Sequence, residues 1–84
     1  MKRDEIEKRV VNVTAGVLRV DPEKITLQSH FVNDLGAESV QSIELMASFE
    51  EEFDVELDED EALAVQTVGG AVDFIEQALN AQGF

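Results

Sequence analysis

Cysteine, tryptophan and tyrosine are absent from this 84-residue chain, and proline occurs once. The missing cysteine excludes a disulfide framework, a thiolate metal site and a thiol nucleophile supplied by the chain itself. Five Phe are the only aromatics, so the core must be built mainly from Val, Leu, Ile and Ala. Basic residues are scarce and unevenly spread. All six Lys and Arg lie at or before Lys24, while Ile25 to Phe84 holds fourteen Asp and Glu and no basic residue. The net charge of −13 disfavours nucleic acid and anionic membrane surfaces, whose phosphates call for clustered cations. It favours basic protein surfaces approached under charge steering. No apolar run reaches membrane-spanning length, and Met1 to Val10 is charged where a signal peptide is apolar. The expectation is a soluble cytoplasmic protein.

What is present suffices for one small domain over residues 1–84 with a modest core. A first helix is expected from about Glu5 to Leu18. Asp4 is its candidate N-cap, Glu7 completes a capping-box pattern, and Ile6, Val10, Val13 and Val17 form the apolar stripe. Asp21-Pro22 interrupts regular structure. A long connection follows to Glu38, with Ile25, Leu27, Phe31 and Leu35 as candidate anchors. A second helix is expected over Ser39–Phe53, with Leu45, Met46, Phe49 and Phe53 as its core stripe. Val40, Ile43 and Ala47 lie roughly opposite, interleaved with Glu44, Glu50 and Glu51. Such an apolar strip among carboxylates reads either as a binding face or as a solvated face carrying a few aliphatics. A short helix over Glu59–Ala64 and a last helix capped by Thr67 complete the chain. Gly69-Gly70 in that last helix reflects close packing or a frayed start. The expected fold is all-α: a small four-helix bundle of three longer helices and one short one, with a long first loop.

Ser39 stands at the junction of loop and helix in Asp34-Leu35-Gly36-Ala37-Glu38-Ser39-Val40. As a nucleophile it would need an adjacent base. His30 is the only histidine, and no Gly-x-Ser-x-Gly elbow is present. Ser39 also reads as an ordinary N-cap, with Glu38, Gln41 and Ser42 contributing. As an attachment point it is well placed, because a phosphodiester there meets unpaired backbone N–H groups at the positive end of the helix dipole. Gly36 frees the turn before it. The acidic run from Asp54 to Glu61 is no EF-hand: counted from Asp54, the sixth position is Glu59 instead of Gly and the twelfth is Val65 instead of Glu. No specific metal site is expected.

The segment Phe31–Val40 resembles the phosphopantetheine-attachment segment of acyl carrier proteins. Ile43-Glu44-Leu45-Met46, Glu50–Leu57, Thr67-Val68 and Val72-Asp73-Phe74-Ile75 continue the likeness over nearly the whole chain. The resemblance implies a non-catalytic carrier. Ser39 would bear a 4′-phosphopantetheine arm, flanked by Asp34, Leu35, Gly36 and Glu38, and received from coenzyme A through a phosphopantetheinyl transferase. The arm's thiol would hold acyl intermediates as thioesters for fatty acid or related lipid biosynthesis, which suits a chain without cysteine. Glu38, Val40, Ile43, Glu44, Ala47, Glu50 and Glu51 would dock on basic patches of acyl-loading, elongating or transferring enzymes. Phe31, Leu45, Met46, Phe49, Val65, Ala71 and Ile75 would line an acyl pocket. A monomer is implied. Glu38, Val40, Gln41, Phe49, Asp58, Leu63 and Ala64 depart from the family's usual residues, which suggests a specialised member. An aminoacyl or polyketide carrier shares the same arm and fold, and an unmodified acidic adaptor is the reading from another class.

Overall fold

The computed structural model describes residues 1–82. Among them the chain forms α1 (Arg3–Leu18), a 3-10 turn (Pro22–Lys24), α2 (Ser39–Phe53), α3 (Glu59–Ala64) and α4 (Val68–Ala81). The bundle is all-helical, with α1 packed against both α2 and α4, and α3 laid beside α2.

α1 starts earlier than the capping pattern predicts. Lys2 takes the N-cap position without a side-chain bond, and Asp4 lies inside the first turn with Glu5. Carboxylates there complement the positive end of the helix dipole. The start of the helix is held from outside instead, by Arg3 pairing with Asp73 (2.7 Å) and Glu76 (3.1 Å) of α4. The buried stripe also differs. It is Ile6, Val10, Thr14 and Leu18, while Val13 and Val17 are half-buried. A strict four-residue step keeps the stripe between two neighbouring helices, and the hydroxyl of Thr14 is buried there without a hydrogen-bond partner among the described residues.

α2 and α3 span the expected residues. Asp58 caps α3 by accepting from the Glu61 N–H at 3.0 Å, and Thr67 caps α4 by accepting from the Gly70 N–H at 3.0 Å. Arg9 clamps α1 to the end of α2. Its guanidinium bonds Glu52 at 2.7 Å and lies over the Phe53 ring, 4.8 Å from the centroid, a favourable stacking of a cation on a ring face.

The first connection has few helical residues but is well fastened. Ile25 and Phe31 are buried, and Leu27 and Leu35 pack half-buried against the core. The segment runs antiparallel to the junction of α3 and α4: the Phe31 N–H donates to the Gln66 carbonyl (3.0 Å), Val68 to Ser29 (3.0 Å) and Gly69 to Leu27 (2.8 Å). His30 and Thr67 form an isolated bridge there. These bonds satisfy the first N–H groups of α4, which have no partner inside their own helix. They also explain Gly69 by close packing, since a Cβ at that position would meet the Leu27 carbonyl oxygen at 2.9 Å.

Candidate functional site

The loop before α2 is closed by its own backbone. The N–H groups of Asp34 and Leu35 both donate to the His30 carbonyl at 3.0 Å, Gly36 to Val32 at 3.0 Å, and Ala37 to Phe31 at 2.8 Å. Gly36 supplies the reversal with φ of 73°, a left-handed conformation that costs glycine least. The Asp34 carboxylate accepts from the His30 N–H at 2.7 Å and meets the ring Nδ1 at 3.2 Å. The backbone bond first, and the ring bond second, hold the Asp34 carboxyl below its ordinary range. Leu35 packs inward, Ala37 is buried, and Glu38 becomes the N-cap residue of α2. The Gln41 side chain reaches back to accept the Glu38 N–H at 2.9 Å.

Ser39 is therefore the first residue of the helix and not its cap. It is exposed, and its hydroxyl makes no hydrogen bond among the described residues. The tight loop aims an otherwise idle hydroxyl outward at the N-terminus of a fifteen-residue helix. A covalently attached phosphate fits this position, which offers room, a free oxygen and the positive helix end. Asp34, Leu35, Gly36 and Glu38 hold the loop in shape around it.

Along α2, Val40 is 65% and Ile43 50% exposed, and Ala47, Glu44 and Glu51 are exposed with them. These five share one outward strip. Glu50 behaves differently from its expected companions: it is half-buried, and its carboxylate accepts the Leu57 N–H at 2.9 Å, fixing the link to α3.

The other side of α2 borders a cavity of about 310 Å³. All seven residues singled out from the sequence, Phe31, Leu45, Met46, Phe49, Val65, Ala71 and Ile75, lie on its wall. Sequence reasoning missed Val32, Ser42, Leu57, Leu63, Gln66 and Phe74, which also border it. Ser42 had a legible signal, because it shares a helix face with Leu45 and Phe49. Val32 and Leu63 had none, being exposed apolar residues at 60% and 44% that become a rim only when the loop meets α3. No group of three His, Asp or Glu side chains suited to a metal ion occurs among the described residues.

Comparison with known proteins agrees with this geometry. The phosphopantetheine attachment site family matches residues 8–75. The acyl carrier protein of Phenylobacterium zucineum is 46% identical over 77 residues, covering 92% of this chain and 98% of that protein. The Caulobacter vibrioides acyl carrier protein is 48% identical over 71 residues, 84% of this chain and 91% of that protein. A Porphyromonas gingivalis acyl carrier protein is 41% identical over 75 residues, with 89% and 96% covered. The chain belongs to the acyl carrier protein family. It is a carrier bearing covalent 4′-phosphopantetheine, in a family of carriers and not catalysts. Among the described residues no helix is long and apolar enough to cross a membrane.

Proposed function

We propose that Ser39 is the attachment point of the phosphopantetheine arm and that a separate phosphopantetheinyl transferase loads it. The supporting observation is the exposed, unpartnered hydroxyl at the first position of α2. In the transfer, the Ser39 Oγ attacks the β-phosphorus of coenzyme A, forms a phosphodiester to the pantetheine and releases adenosine 3′,5′-bisphosphate. The hydroxyl proton leaves to a base on the transferase. The arm then carries acyl groups as thioesters on its terminal thiol. The chain's own residues shape the loop, present the serine and shelter the cargo.

The outward strip of α2 is the proposed docking face for basic partner enzymes. Val40, Ile43 and Ala47 supply apolar contact, and Glu38, Glu44 and Glu51 supply charge. Glu50 contributes field from a more recessed position. The cavity lined by Phe31, Leu45, Met46, Phe49, Val65, Ala71 and Ile75 is the proposed shelter for the acyl chain. A monomer working in the cytoplasm, in fatty acid or related lipid synthesis, suits these features. The replacements at Phe49, Leu63 and Ala64 support service to a dedicated set of enzymes.

The decisive experiment is intact mass before and after incubation with coenzyme A, magnesium and a broad-specificity transferase. The parent gains one phosphopantetheine, unless it is already loaded, and Ser39→Ala gains none. Because the Ser39 side chain is exposed and makes no hydrogen bond among the described residues, the alanine variant keeps its fold and is a clean control. A folded, unloaded parent that stays unmodified would instead favour the acidic adaptor.

A further inference from the structure

Building on the carrier reading above, we propose that Phe49 gauges the length of the cargo. The cavity beside α2 takes an uncharged alkyl chain of about twelve heavy atoms, by scaling from the 150 Å³ cavity that holds one benzene, and Phe49 closes its inner end.

The chemistry of the wall excludes charge. Among the described residues no Asp, Glu, Lys or Arg borders the cavity. Its one titratable group, His30, has Nδ1 engaged by Asp34 at 3.2 Å. A charged acyl group drawn inside would lose its water and gain no countercharge, which is strongly unfavourable. An aminoacyl or a carboxylated acyl group therefore stays outside, whereas a hydrocarbon chain gains by leaving water.

The size of the cavity limits what enters. At about 310 Å³ it offers roughly twice the space that accommodates six carbon atoms in the benzene case. In a much longer chain the surplus carbons stay at the open mouth beside Val32 and Leu63, in water, unless the bundle moves, and its packing resists added volume.

The direction of entry identifies the stop. On α2 the wall is formed in order by Ser42, Leu45, Met46 and Phe49. Ser42 is half-buried and stands one turn beyond Ser39. From Ser42 to Phe49 the helix rises about 10 Å at 1.5 Å per residue. Phe49 is the last α2 residue on the wall. The next turn brings Phe53, which is committed to the seam with α1 under the Arg9 guanidinium. At this same end Leu57 is held by the Glu50 carboxylate through its N–H. A chain entering past Ser42 ends against the Phe49 ring.

The test uses the full chain loaded on Ser39, with loading checked by intact mass. Saturated acyl groups from about six to about sixteen carbons bracket the volume estimate, and a glycyl thioester supplies a charged cargo. Thermal unfolding is recorded for each. The melting temperature rises with chain length, breaks at about ten to twelve carbons and does not rise with the glycyl group. In Phe49→Leu the break moves about two to three carbons longer, because ring atoms are removed from the inner end. In Ala71→Val, on the opposite wall, it moves about two carbons shorter. A rise that continues unbroken to the longest chain, a break that neither variant moves, or equal stabilisation by the glycyl group overturns the proposal. Full loading on Ser39 with any of those results removes the length gauge alone. Absence of loading on the folded chain removes the carrier reading, and the gauge with it.

Discussion

The seam between α1 and α4 and the region of α2, α3 and the first loop are built from similar aliphatic residues but use them in opposite ways. The most deeply buried side chains, Ile6, Val10, Thr14, Val68, Val72 and Ile75, all belong to α1 and α4. By contrast α3 has no buried residue. Among the described residues beyond Met1, the large hydrophobics left exposed are Val32, Val40, Ile43 and Leu63, all in the loop, α2 and α3. One side of the molecule spends its apolar surface on stability. The other keeps apolar surface and a cavity available. In so small a domain, where total stability is only of the order of 5–15 kcal/mol, the two demands fall mostly on different residues, with Ile75 serving the core and the cavity wall at once. Dividing them lets the site stay open while the fold stands on its other half.

The sharpest test of that division compares truncations on the two sides. Ile6→Ala should cost about 2–5 kcal/mol in denaturant unfolding, enough to leave the fold marginal. Leu63→Ala, which also removes an aliphatic side chain, should stay within about 0.5 kcal/mol. Comparable losses at both positions would break the comparison.

The join between the two regions is the stitch of the first loop to α4. Gly69→Ala forces a Cβ toward the Leu27 carbonyl and should cost about 1–3 kcal/mol. Amide exchange should quicken at Phe31 and Val68 before it does in α1. Uniform quickening through α1 would show that the two regions do not open separately.

Even the dense side contains one polar flaw. Thr14→Val removes a buried, unpartnered hydroxyl and should raise stability by about 1 kcal/mol. A loss instead would mean that the hydroxyl has a partner, such as a bound water.

The smallest effect belongs to the open side and is local. The Asp34 carboxyl is held below its ordinary range mainly by the His30 N–H. A lowered folded-state value contributes stability above the unfolded carboxyl's pKa, and that contribution fades as pH falls through the folded value. Acid should thus loosen the loop before α2 without melting the seam. Amide exchange at His30 on an acid series should show a transition that Asp34→Asn lacks. An identical acid response in both would sink this assignment.

Much of the bundle was legible in the chain. The span of α2 follows from Leu45, Phe49 and Phe53 at helical spacing, and the start of α4 from Thr67 as a cap. The loop-to-helix junction at Ser39 follows from Gly36 and the helically spaced apolar residues Leu45, Phe49 and Phe53 after it. The α1 stripe was harder to read. Val13 and Val17 satisfy a helical period as well as Thr14 and Leu18 do, and hydrophobicity favours the valine over the threonine. Likewise Asp4 is a sound local cap, overridden because Arg3 finds Asp73 and Glu76 across the bundle. Gln41 reaching back to Glu38 moved the cap off Ser39 and left its hydroxyl free.

Local order along the chain accounts for the helices, the acidic asymmetry that begins after Lys24, and a serine at the start of α2. Those depend on neighbours within a few residues or on composition, and both are present in the linear chain. Packing between distant segments sets which face of α1 is buried and why Gly69 has no side chain. It also turns Glu50 from the outward strip of α2 toward Leu57, and leaves a cavity whose wall draws on the first loop, α2, α3 and α4. A void exists only where packed elements fail to meet, so no single segment of the chain encodes it.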